Sequence, residues 1–305
     1  MSLFSQLLPL GLEINDKVVR MVQLAQKGRG LQVVYFKELA IAPAVVQHGS
    51  IVDEKSLVEA IRTLVKMRSG KFRLGSQSVI ASLPTIQSFY HLLQLDADDS
   101  SELPVVLARE LSYHIPYEMN TMHFDWDIVQ QDEVTLTIAV IAVPRTVVDN
   151  YTAVLENAGL KLLALEPEAV TVARLLPGDS VGHDVHLVIF TSDDSVVVFV
   201  LQDGVIRFVH QRTFAEIQKL SNGINSLVVE TVRYVHENLK LPLIQKIFVA
   251  KNITDLHIDE TFAGVKIELL NPLQRIRSSS PQELSQLTSD YVLPIGLALR
   301  EYAFI

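Results

Sequence analysis

The chain has 305 residues, 49% hydrophobic and 20% charged, with 26 basic and 35 acidic side chains, a formal net charge of -9 and no cysteine. That length predicts about two domains with a substantial interior, and apolar residues spread over many short segments exclude a disordered chain. The acidic balance repels phosphate backbones and argues against nucleic acid, and the lack of cysteine removes disulfides, thiolate metal sites and a cysteine nucleophile.

Residues 1–12 lack the basic start and small-residue cleavage site of a signal peptide. The longest nearly uninterrupted apolar run, residues 136–143, falls far short of the roughly 18 residues that a membrane helix needs. Both features predict a cytoplasmic protein.

In chain order, residues 8–14, 17–24 and 31–39 are apolar runs with β-branched residues, separated by Asn15-Asp16 and by Gly28-Arg29-Gly30. They predict a three-strand meander. Asp53 then stands as an N-cap before Leu57, Ile61, Leu64 and Val65, whose spacing lays an apolar stripe on a helix, and residues 78–83 return as a strand.

The second half repeats this order. Strands are predicted at 185–190, 196–201 and 205–212, with turns at Asp193-Asp194-Ser195 and Asp203-Gly204. Ile224, Leu227, Val228, Thr231, Val232 and Val235 then share one helical face, and residues 246–250 form a strand. Two β-β-β-α-β units in tandem predict an α/β chain of two ribonuclease H-like domains, the actin-like ATPase fold.

Between the repeats, residues 103–115 have helical spacing and Pro116 stops the helix. Strands at 123–129 and 134–143 and a helix over 147–158 capped by Gly159 complete a predicted α+β insertion. The predicted domains are 1–85 with 160–178, the inserted subdomain 86–159, and 179–305. Residues 278–286 read as an exposed polar loop.

A nucleotide-binding member of this fold needs glycine, serine or threonine in each meander's first turn, so that backbone N–H groups reach phosphates. The first turn carries Glu13, Asn15 and Lys17, where Glu13 offers a carboxylate for hydrated magnesium and Lys17 a cation for phosphate. No glycine sits there, and Asp16 adds a like charge. The second turn offers Ser192 and Ser195 beside two carboxylates, and Ala250, Lys251 and Asn252 stand where glycines would admit an adenosine. Plain hairpins are the expectation, with no catalytic residue; for an ATPase or kinase, Glu13 and Glu166 are the carboxylates to activate water or a hydroxyl.

His183, Asp184 and His186 have metal-donor chemistry but lie at a domain junction, and the expectation is a solvated link without a metal. Asp125 and Asp127 alternate along a strand with Trp126 between them, which predicts ordinary core for the tryptophan. No serine-nucleophile elbow, zinc-helix motif or Walker loop occurs in the sequence.

Leu10-Gly11-Leu12-Glu13-Ile14, residues 110–116 and 124–129, Leu165-Glu166-Pro167, Asn271-Pro272-Leu273 and residues 295–300 together resemble the type IV pilus assembly protein PilM family, over nearly the whole chain. That family is actin-like and related to the cell-division protein FtsA, so the resemblance implies an FtsA-type inserted subdomain. It further implies a protein held at the inner membrane by the N-terminal cytoplasmic tail of a single-span partner, PilN, lying in a groove beside that subdomain. Pilus motor ATPases and self-association are further implied contacts.

Family members bind ATP with magnesium through the two turns. Here Asn15 replaces the expected glycine, and Phe190 and Ser192 replace the aspartate and glycine of the second turn. The reading is a scaffold without ATP turnover and without a cofactor, with Tyr113, Ile115, Pro116, Phe124 and Trp126 as the partner-binding set. Its alternatives are an actin-fold ATPase or kinase that uses ATP, and the cytoplasmic part of a type II secretion platform, which usually continues into a membrane span that this chain, ending at Ile305, would lack.

Overall fold

The computed structural model describes residues 6–28, 30–68, 78–97, 103–115, 117–177, 184–192, 194–250, 261–262, 264–274, 276, 287 and 289–300. Strands β1 (Gln6–Ile14), β2 (Val18–Lys27) and β3 (Gly30–Ala40) form the expected antiparallel meander. A short hairpin follows, β4 (Val46–Gln47) and β5 (Ser50–Ile51). Helix α1 (Glu54–Lys66) starts at Asp53, whose carboxylate accepts from the Ser56 N–H at 3.1 Å. It crosses over to β6 (Ser78–Leu83), which pairs parallel to β1.

The insertion contributes β7 (Phe89–Asp96), α2 (Leu103–His114), β8 (Met122–Gln131) and β9 (Thr135–Pro144), with sheet order β7-β9-β8. Leu103, Val106, Leu107 and Leu111 of α2 pack on Leu93, Leu95, Ile138 and Val140 as a separate core. Helix α3 (Arg145–Asn157) and β10 (Lys161–Pro167) return to the first sheet, whose order is β10-β6-β1-β2-β3.

This moves a predicted boundary. Val147, Tyr151, Val154 and Leu155 of α3 share one core with Leu57, Ile61 and Leu64 of α1 and with Leu10, Leu12 and Val79 of the first sheet. The Tyr151 hydroxyl donates to the Gly49 carbonyl at 3.0 Å, and Arg62 donates to the Asn157 carbonyl. The helix assigned to the insertion therefore covers the first domain, and the inserted subdomain ends with β9.

After α4 (Glu168–Ala173), the second lobe repeats the plan. Its strands β11 (Val185–Ser192), β12 (Ser195–Gln202) and β13 (Val205–Thr213) are antiparallel neighbours. The one-turn α5 (Phe214–Ile217) and the crossover helix α6 (Ile224–Glu237) lead to β14 (Ile244–Ala250), parallel to β11. Strands β15 (Thr261–Phe262) and β16 (Val265–Leu269) complete the order β13-β12-β11-β14-β16-β15. Both halves are thus β-β-β-α-β, as the hydrophobic periodicity predicts.

Period-two alternation gives each sheet two apolar faces. One face of the second sheet, with Leu187, Ile189, Val196 and Val198, meets α6. The other, with Val188, Phe190, Val197 and Phe199, joins Val22, Leu24 and Val33 of the first sheet in an inter-lobe core. Helix α4 and the C-terminal α7 (Val292–Ala298) fill that core through Ala169, Val172, Leu293 and Ile295. Residues 292–298, predicted within the second domain, pack on β1 and so belong to the junction.

Candidate functional site

The first turn is built by Asn15. Its Oδ1 accepts from the N–H groups of Lys17 (3.0 Å) and Val18 (2.9 Å), and its own N–H donates to the Val18 carbonyl. The turn thereby closes on itself without the left-handed glycine that would open it to a ligand. Glu13 is buried, accepts from Asn15 Nδ2 at 3.3 Å and sits 3.5 Å from Arg20, which also holds Glu38. Lys17 is exposed.

Asp16 faces the β4–β5 hairpin. Its carboxylate accepts from the N–H groups of His48 (2.7 Å) and Gly49 (3.1 Å), both at positive φ, so the two amides that could cradle an anion hold this side chain. His48 Nδ1 in turn lies 3.6 Å from Asp194 Oδ2 of the second turn. The two turns are therefore linked across the lobes through the hairpin. Asp16→Ala is expected to cost about 1 kcal/mol and to speed hydrogen exchange at the His48 and Gly49 amides, read by exchange mass spectrometry.

Ser192 and Ser195 flank the second turn. Ser195 and Ser192 are buried; Ser195 Oγ donates to the Ser192 carbonyl at 2.8 Å and accepts from Gln211 at 2.6 Å. Phe190 is core, edge-on to Phe199. Lys251 and Asn252 lie outside the described residues, as does His183. His186 is buried edge-on to Phe248, and among the described residues no group of three His, Asp or Glu is placed to hold a metal ion.

Glu166, the second carboxylate proposed for an ATPase, is a structural hub. Arg174 grips both of its oxygens at 2.6 Å, Arg300 approaches to 3.3 Å, and Thr171 donates at 2.7 Å. Its lone pairs tie β10 to α4, its C-terminal Arg174 and the segment after α7.

The predicted partner set is divided by the fold. Ile115 is buried in the core of the insertion, and Phe124 and Trp126 pack against that core from the α2 side of β8. Tyr113 is 76% exposed at the end of α2, and Pro116 lies outside the described residues. Of the described residues in the set, Ile115, Phe124 and Trp126 thus face the core of the insertion and Tyr113 faces outward. A cleft of about 470 Å3 opens instead between β7 to β9, α4 and the β12–β13 turn. Tyr90, Ala139, Ile141, Ala173 and Ile206 give it apolar walls, with Asp127 and Arg174 as charged borders. Burial, reinforced by the nearby Glu168 charge, pushes the Tyr90 hydroxyl well above its usual pKa, so it stays a neutral donor. The alternation that puts Trp126 toward the core puts Asp127 toward this cleft, which was the available sequence signal.

Two ribonuclease H-like lobes joined through α4 and α7, with an α+β insertion in the first, define an actin-like protein. The chain belongs to the family described as type IV pilus assembly protein PilM, whose model matches residues 11–228. A search of curated proteins finds no match. Among solved structures, that of a PilM-PilN type IV pilus biogenesis complex is similar with a TM-score of 0.78 at 17% identity, covering 96% of this chain and 98% of that one. The cytoplasmic domain of EpsL, an inner-membrane component of the type II secretion system of Vibrio cholerae, gives a TM-score of 0.55 at 14% identity, covering 94% and 93%. Among the described residues no helix is long and apolar enough to cross a membrane.

Proposed function

We propose that this chain is the cytoplasmic scaffold of a type IV pilus inner-membrane platform. In this reading it docks the N-terminal cytoplasmic tail of a PilN-like single-span protein in the cleft beside the inserted subdomain and turns over no ATP. The observation that carries it is the cleft itself: about 470 Å3 of mainly aliphatic wall bounded by one acidic and one basic side chain. Such a shape suits a short peptide segment anchored by apolar side chains and oriented by polar ends. The scaffold reading is supported by the engagement of Asn15 and Asp16 in the first turn and of the Ser195 hydroxyl in the second within the protein.

Calorimetry tests both parts. The synthetic tail peptide of the neighbouring single-span protein is expected to bind with a Kd in the micromolar range, about -8 kcal/mol, while ATP with magnesium gives no heat. Ala139→Arg, which fills the cleft, is expected to weaken the peptide at least tenfold with an unchanged circular dichroism spectrum. Absent peptide binding overturns the docking assignment, and micromolar ATP binding overturns the nucleotide-free scaffold.

A further inference from the structure

A second cleft, of about 480 Å3, lies farther along β7, between the inserted subdomain and the second lobe. Its walls bring together His91 and Gln94 of β7, Glu110 and His114 of α2, Arg207 of β13 and Asn238 after α6. The peptide-docking reading uses none of these except His91, which borders both clefts.

Arg207 dominates the electrostatics. Its side chain is only 13% exposed, and its Nε is buried with no hydrogen-bond acceptor among the described residues. Among the described residues the nearest carboxylate oxygen, on Asp203, is 3.8 Å from the guanidinium, beyond hydrogen-bonding distance. Burial pulls the guanidinium pKa below its usual value, opposed by Asp203, yet an arginine stays charged in a protein. A desolvated cation with an unmatched donor is costly unless an anion completes it.

The other charged group on the wall, Glu110, is held by Arg109 at 3.0 Å. One turn along α2 from it, His114 meets the His91 ring of β7, the two rings 4.2 Å apart and tilted at 31°. Burial, then the neighbouring His114, hold His91 below its ordinary pKa, so it is neutral near neutral pH. The amides of Gln94 and Asn238 and the histidine N–H groups add donors, and Thr137 of β9 adds a hydroxyl.

We propose that this cleft is an oxyanion site in which Arg207 holds a carboxylate or a tetrahedral anion, and His91 strengthens the hold when it takes up a proton. Burial and the neighbouring His114 disfavour a proton on His91, and a negative charge held in the cleft by Arg207 offsets that penalty. Binding and protonation are therefore linked, each promoting the other.

The test is a histidine-selective NMR titration of the full chain with sodium sulfate and, separately, sodium formate, each against sodium chloride of equal ionic strength. Both probes keep essentially constant charge over the pH range in which histidine titrates, about 5 to 8. Either probe, or both, is expected to raise the apparent pKa of His91 by about half a unit or more and to bind about threefold tighter at the acidic end. Response to sulfate alone assigns a tetrahedral ligand, and response to formate alone a carboxylate; both outcomes support the site. Arg207→Gln is expected to abolish the response and Arg207→Lys to keep part of it. Shifts no larger than those in chloride, or shifts that survive in Arg207→Gln, overturn the proposal.

Discussion

Replacing Glu166 with glutamine is expected to lower the stability of the protein by about 3–5 kcal/mol, because it removes one partner of a buried ion-pair cluster and leaves the others without their counter-charge. The carboxylate is 5% exposed and takes two 2.6 Å bonds from Arg174, with Arg300 at 3.3 Å. Arg174 also donates to the Gly296 carbonyl at 3.1 Å, so one acidic side chain ties β10 and α4 to α7. A glutamine keeps the volume and the Thr171 contact but offers no charge to either guanidinium. Urea unfolding followed by circular dichroism reads the loss. The single tryptophan, Trp126, sits in the inserted subdomain and would report mainly on that core. Joint replacement by Glu166→Leu and Arg174→Met is expected to recover part of the loss, since an apolar pair needs no desolvation. An unchanged midpoint in Glu166→Gln would show that solvent screens the cluster and that it does not bind α7 to the lobe.

The tandem meanders were legible because their cause is local: period-two apolar runs broken by Asn15-Asp16, Gly28, Asp193-Asp194 and Asp203-Gly204. Strand β7 was not. Its first four residues are half-buried on both faces, and alternation begins only at Leu93. The apolar stripe of α3 was read correctly, but which sheet it covers depends on packing against α1, about 90 residues earlier, which no local pattern encodes.

The same divide runs through the site. That the first turn lacks a phosphate-type glycine is written in Asn15, but that Asp16 is consumed by the amides of His48 and Gly49 depends on a hairpin 32 residues away. Glu166 reads as free to act because Arg174, eight residues on, reaches it only where the chain turns from β10 into α4, and Arg300 lies beyond α7, far along the chain. Choosing aromatic residues as peptide anchors led to Phe124 and Trp126, which the strand alternation turns toward α2, whereas Asp127, next in sequence, borders the cleft.

Gly11→Ala is the sharpest remaining test, because local propensity and tertiary packing predict opposite signs. Gly11 lies inside β1, where alanine should be favoured by roughly 0.5–1 kcal/mol over glycine through the smaller entropy it loses on folding. In the fold, however, a methyl group at Gly11 would coincide with the Pro294 carbonyl oxygen and lie 2.7 Å from the Ala298 nitrogen. Both are main-chain atoms of α7, so no rotamer change relieves the overlap, and the whole helix has to move. It has little room: a methyl on Gly296 would fall 2.7 Å from Thr171 Cγ2 and 2.9 Å from the Thr171 carbonyl, which shows that α4 closes on its opposite side. Displacing α7 pulls Leu293 and Ile295 out of the inter-lobe core and strains the Arg174 contact with Gly296. The expected loss is therefore about 3 kcal/mol or more, at or beyond the upper end for overpacked sites, with faster hydrogen exchange across α7. Gly28→Ala, at φ +62 with no described residue beyond its chain neighbours within 4 Å of the added methyl, serves as the control and should cost only the left-handed backbone penalty of about 1 kcal/mol. A Gly11→Ala protein as stable as the parent would mean that α7 does not bear on β1 in solution, and that the glycine in this motif answers to something other than the close approach of a helix.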